Sequence, residues 1–184
     1  VFENIRADIR RREESPRIMD VLLLLWRDNG IQALLVYRFG RWLRSIRTRP
    51  LGWVIVVLYP LYWLSAVLIR KVSGIILEQS ADIGPGLNIG HFGGIEVRHC
   101  RIGPYCSIQQ QVKVMPAETD GNGPVIGQRV WIGAHARVCG DISVGNGSTV
   151  SAGSVVTQNI PERCLVLGNP GRIAQKGYDN EAFL

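Results

Sequence analysis

From Ile126 onward an aliphatic residue recurs at every sixth position: Ile126, Ile132, Val138, Val144, Val150 and Val156. Ile102, Ile108 and Val114 keep the same register, whereas Leu77, Ile83, Ile89 and Ile95 run one residue out of phase, which places one inserted residue near His99 to Arg101. Glycine follows the aliphatic at Ile83-Gly84, Ile89-Gly90, Ile102-Gly103, Ile126-Gly127, Ile132-Gly133 and Val144-Gly145, and glycine suits tight corners. An amphipathic helix needs apolar positions about 3.6 residues apart and loses roughly 1 kcal/mol for each interior glycine. A period of six with corner glycines predicts a triangular coil instead. Three short strands make each turn, each sends one aliphatic side chain inward, and turns stack about 4.8 Å apart over one apolar core.

Val114 and Ile126 are two periods apart, yet residues 116–124 are rich in turn formers and supply no inward aliphatic. They are read as a loop extruded from one corner, and a loop leaning over a rigid solenoid is a natural place for a binding site. The coil domain is therefore expected over 74–170, with a C-terminal tail at 171–184. Before it, residues 1–73 have a different pattern. Ile18, Val21, Leu22, Leu25 and Trp26 repeat on one helical face, and a second helical run follows Asp28-Asn29-Gly30 from Leu34 to Ile46, with arginines opposite.

Residues 51–69 then pass without a charge. As one helix they would extend roughly 28 Å, close to the hydrocarbon thickness of a bilayer, about 30 Å. Pro60 interrupts that run. The positive-inside tendency would also put residues 1–50 in the cytoplasm and the coil outside. Two coverings suit the apolar stretch: helices lying on the cytoplasmic leaflet, with Arg47, Arg49, Arg70 and Lys71 at headgroup level and Trp53, Tyr59, Tyr62 and Trp63 as interfacial aromatics, or the buried interface of an oligomer.

Charge sharpens the division. Residues 1–71 hold 13 Lys and Arg against 6 Asp and Glu, and the remainder is near neutral, so the +6 of the chain sits in the helical part. Arginines interleaved with an apolar face fit a lipid surface better than a phosphate ladder, which argues against nucleic acid. The four cysteines form no Cys-x-x-Cys pair and no dense framework, which fits a reducing cytoplasm. No apolar run with a small-residue cleavage site stands at the start.

Four segments carry a resemblance to a known family: Ile83 to Ile95 with His91 at its centre, Val125 to Ala134, Gly153 to Thr157, and Leu167 to Ile173. Together they resemble the serine acetyltransferase-like hexapeptide acyltransferases, most of all those found with exopolysaccharide and capsule genes. The resemblance implies a mainly β fold, a left-handed parallel β-helix behind the N-terminal apolar and basic helices. It also implies a homotrimer, acetyl-CoA as cosubstrate in the groove between subunits, and no metal. Carried over by position, His91 matches the catalytic histidine, and Ala134 and Ala152 match small residues along the pantetheine path. Arg172 and Lys176 are assigned to the coenzyme phosphates on charge. An imidazole is a suitable base for an acceptor hydroxyl attacking a thioester, and backbone N–H groups around Gly93-Gly94 are candidates for the oxyanion.

The departures from the family bear on the acceptor. Serine acetyltransferases carry an acidic residue before the histidine and an Arg-His pair at the end of the loop; here those places hold Gly90 and Asn122-Gly123. A zwitterion would lack charged partners there, and unpaired buried charge is costly. The sequence reading is therefore a carbohydrate hydroxyl in cell-surface polysaccharide, with Glu96, Gln110, Asp120 and Asn122 as binding groups. Ile76 occupies the approximate place of the carboxylate that orients the family's histidine, leaving Glu78, Glu96 or a backbone carbonyl as substitutes. The rival readings are serine O-acetylation, a β-helical carbonic anhydrase with three histidines on zinc, and a non-catalytic trimeric scaffold at the membrane.

Overall fold

The structure is a computed structural model that describes residues 2–13, 18–46, 52–90, 93–117 and 121–184. His91, Asp120, Arg47 and Arg49 lie outside the described residues, as does the side chain of Trp53. Residues 75–167 wind into five turns whose short strands stack as three parallel walls, the hexapeptide-repeat arrangement, consistent with a left-handed β-helix. The inward rows are Leu77, Val97, Val114, Val138 and Val156 on the first wall, and Ile83, Ile102, Ile126 and Val144 on the second. Ile160 extends the second row by a bridge to Val144. Ile89, Ile108, Ile132, Val150 and Val166 form the third. All but Leu77 are buried, each fully buried aliphatic contributing about 1.5–3 kcal/mol.

The register break is not the single insertion the spacing suggested. Leu77 pairs with Val97 and Ile83 with Ile102, so Val97, not Ile95, is the inward strand residue. The stretch from Ile89 to the buried corner residue Ile95 is two residues longer than its equivalents Ile108 to Val112, Ile132 to Ala136 and Val150 to Ser154. The next corner, Val97 to Cys100, is one residue shorter than Leu77 to Ala81. The longer corner is the one that contains positions 91–94. The shortened corner holds His99 at φ +24°.

Four helices precede the coil: α1 (Phe2–Arg10), α2 (Ile18–Arg27), α3 (Asn29–Ile46) and α4 (Gly52–Ser73). Asp28 starts α3 by accepting from the N–H groups of Gly30 and Ile31 at 2.8 and 3.1 Å. The helix then closes the open end of the coil, since a solenoid's terminal turn needs a cap. Ala33, Leu34 and Tyr37 join the same core as Ile75, Ala81 and Leu87. The Tyr37 hydroxyl donates to Ala81 O at 2.7 Å and accepts from Ile83 N at 3.2 Å. Gly30 is required here, because a Cβ would lie 2.9 Å from Ile89.

The sequence pattern gave no sign of α1, yet it is tied in by polar groups. Asp8 accepts from Gly86 N and Leu87 N and pairs with Arg38, which also donates to Ile83 O and Gly84 O. At the far end of the coil, Arg172–Lys176 forms an antiparallel strand against Cys164–Leu167, covering the edge of the third wall's last coil strand. Helix α4 continues through Pro60 and packs along α3.

Candidate active site

The three corners of the coil differ in chemistry. At the corner between third and first walls, Gln110, Ala134 and Ala152 follow one another upward, and Gly90 lies beneath Gln109 in the adjoining row. The links are His135 N–H to Gln110 O at 2.9 Å and Gly153 N–H to Ala134 O at 2.8 Å. Small residues keep this edge open; a Cβ on Gly133 would strike the Ala152 backbone at 2.5 Å. Arg172, paired with Leu167, lies at the top of the same edge, while Lys176 pairs with Cys164 at the other end of its strand. The structure therefore groups Gln110, Ala134, Ala152 and Arg172 and leaves Lys176 apart.

His91 falls in this corner's sequence, between the described Gly90 and Gly93. Gly93 admits no other residue without backbone movement, because its Cβ would stand 1.1 Å from Ser73 O. Gly94, at φ +76°, donates its N–H to Ser73 O at 3.3 Å, which removes it as an oxyanion donor.

The first wall's outward row runs Ile76, Glu96, Lys113, Arg137. Glu96 is largely covered and ion-paired with Arg98 and with Lys113, the latter at 3.5 Å. A carboxylate between two cations is committed to them, so Glu96 serves poorly as a free hydrogen-bonding group for a neutral acceptor.

Across that wall, at the corner where the loop leaves the coil, Ser80, Asp82, His99, Arg101, Asn122 and Asp141 border a cavity of about 300 Å³. Asn122 donates to Asp141 at 3.2 Å. Asp82 lies 3.0 Å from Arg41 and 4.0 Å from Arg101. The absence of a side chain at Gly123 is structural, since a Cβ would lie 1.6 Å from His99 O. Sequence reasoning missed this cluster. The signal was present: Asp82 and Arg101 each precede an inward isoleucine and so share one outward row, but charge was weighed only at the positions that the family motif fills.

Gln110 and Asn122 thus lie on opposite edges of the first wall, with Glu96 between them. His99 and His135 also occupy different corners, which is incompatible with three histidines converging on one zinc ion. The cysteines offer no nucleophile: burial pushes the Cys100 thiol up to about 12 and the Cys106 thiol up to about 11, and Cys139 is raised for the same reason.

Residues 123–158 match the family model described as bacterial transferase hexapeptide (six repeats). Over 177 residues the chain is 31% identical to a serine acetyltransferase of Synechococcus elongatus, covering 94% of this chain and 68% of that one. The chain belongs to the serine acetyltransferase family. Among solved structures, soybean serine acetyltransferase superposes with a TM-score of 0.76 at 30% identity, over 94% of this chain and 68% of that one. The Brucella abortus serine acetyltransferase in complex with coenzyme A superposes with a TM-score of 0.75 at 26% identity, over 96% and 67%. The chain spans between about half and 71% of the lengths of the curated relatives it matches.

Membership makes the chain an acyltransferase with acetyl-CoA as cosubstrate, as the motifs implied. It overturns the carbohydrate acceptor and the placement with exopolysaccharide enzymes: relatives at about 30% identity over most of the chain are serine acetyltransferases. The physical reason lies in the loop corner. The expectation rested on missing charges at Gly90 and Asn122-Gly123, whereas the structure carries charge of both signs beside the same loop, on Asp82, Arg101 and Asp141.

Proposed function

We propose that this enzyme is a serine O-acetyltransferase, transferring acetyl from acetyl-CoA to the serine hydroxyl in the cytoplasm as a homotrimer. The observation that carries the reading is the identity of about 30% to serine acetyltransferases across nearly the whole chain. The loop-corner cavity agrees with it, because a zwitterion needs both signs of charge: Arg101 and His99 face its carboxylate, and Asp141 its ammonium group.

His91 acts as the general base. It takes the proton of the serine hydroxyl as the oxygen attacks the thioester carbonyl; the tetrahedral intermediate then collapses to the ester, and the thiolate of coenzyme A leaves and takes up that proton. Ala134 and Ala152 leave room for the pantetheine arm along their edge, and Arg172 above them meets the coenzyme's phosphates. The corner of position 91 and the loop corner lie on opposite edges of one rigid wall. A neighbouring subunit is therefore needed to bring a histidine to a serine, which supports the trimer.

Arg101→Ala tests the acceptor assignment. Loss of a hydrogen bond to a charged group, about 1.5–3 kcal/mol, is expected to raise KM for serine by roughly 10- to 100-fold with little change in kcat, and to leave KM for acetyl-CoA unchanged. An unaltered serine KM in steady-state assays contradicts the assignment of this cavity.

A further inference from the structure

Helix α4 is apolar around its whole circumference until Arg70, a pattern that in a water-soluble fold belongs to a buried helix. It is not buried. Among the described residues, the side that meets the protein carries the half-buried Tyr62, Ala66 and Ile69: Tyr62 fits against Gly40 and 6.4 Å from the Phe39 ring, and Ile69 packs on the coil core. The rest of the surface is open, with Val56 75%, Trp63 60% and Val72 73% exposed, and Tyr59, Leu61, Leu64 and Leu68 each at least half exposed. Contiguous exposed apolar surface on this scale marks an interaction site.

We infer that this face docks in the plane of an anionic phospholipid bilayer. Three observations select lipid as the occupant. First, cations bracket the apolar surface: Arg70 and Lys71 are exposed at its C-terminal end, and Arg44 is exposed in the last turn of α3, eight residues before α4 begins at Gly52. Basic residues at the rim of an apolar helix complement negatively charged headgroups. Second, Tyr59 and Trp63 project from the open face, the side-chain types favoured at the boundary of headgroups and acyl chains. Third, α2 repeats the pattern, with Trp26 81% exposed beside Met19, Leu23 and the exposed Arg27.

A spanning orientation is excluded by packing. α4 lies along α3, and α3 is fastened to the coil by Tyr37 and by the buried Arg38–Asp8 pair. Crossing the bilayer would drag those polar groups into hydrocarbon or strip the helices apart. The outward arc alone meets lipid, and the inference does not depend on which acceptor the enzyme uses.

Co-sedimentation of the full chain with vesicles tests it. Binding is expected to vesicles of equal parts phosphatidylglycerol and phosphatidylcholine, to weaken at least tenfold in 1 M salt or in Arg70→Glu/Lys71→Glu, and to be lost in Leu64→Glu/Leu68→Glu. These side chains are exposed, so elution volume and acetyl transfer should stay as in the unaltered chain. The inference is overturned if the protein remains in the supernatant with every vesicle, or binds neutral phosphatidylcholine equally well. It is also overturned if Leu64→Glu/Leu68→Glu halves the mass in sedimentation velocity, which would show that a second copy covers the face.

Discussion

Replacing His91 with alanine is expected to lower kcat by about 10²- to 10⁴-fold, the usual contribution of a positioned general base. KM for acetyl-CoA should change little, because the pantetheine path runs along Ala134 and Ala152 and not through the imidazole. Sedimentation velocity should show the same assembly as the unaltered chain, since the coil core is built from the three inward aliphatic rows. In the unaltered enzyme, kcat/KM should rise with pH as an imidazole base loses its proton, and that limb should vanish in His91→Ala. Steady-state kinetics across pH 5.5–8.5 read both effects. A variant retaining most of its turnover would remove the base from position 91.

The second large effect is on stability. Arg38→Ala leaves the Asp8 carboxylate buried without its cation, and Asp8 and Arg38 side chains are each only 4% exposed. Breaking such a pair costs about 3–5 kcal/mol, which for a chain of this size lowers Tm by roughly 10 °C. The pH dependence follows from Asp8. Burial raises its pKa above the ordinary 3.8, against the opposing pull of Arg38 and the Gly86 and Leu87 amides. A carboxyl group with a raised folded-state pKa stabilises the fold at low pH and loses that contribution as pH rises through the folded value. Without Arg38 the group is pushed higher still, so Arg38→Ala should recover part of its deficit between pH 7 and pH 5. Thermal melts at the two pH values measure this; a deficit that deepens on acidification contradicts it.

Much of the coil was legible because its signal is periodic and redundant. A single inward aliphatic at each sixth residue, followed by glycine, leaves few alternatives. The register slip was misplaced because two compensating length changes, one at each end of Ile95 to Cys100, sum to the same offset as one insertion. Ile95 is itself buried at a corner, so hydrophobicity alone could not separate it from Val97. The carbohydrate reading has a different source: it weighed charge only at the family's motif positions, Gly90 and Asn122-Gly123. Position-by-position transfer found the loop's missing Arg-His pair, but charge brought in from neighbouring turns appears only when the turns are stacked. Helix α1 was illegible for a different reason. Its attachment is polar and long-range, through Asp8, Arg11 and Arg12 to backbone groups of residues 86–89, and leaves no hydrophobic period in the sequence.

The account as a whole depends on a serine hydroxyl receiving acetyl from coenzyme A on this coil. The initial rate of coenzyme A thiol release from acetyl-CoA, measured against serine concentration, is the most direct measurement. It should saturate with serine and yield O-acetylserine by mass spectrometry in equal amount. A rate that is the same with and without serine, with no O-acetylserine formed, would contradict it.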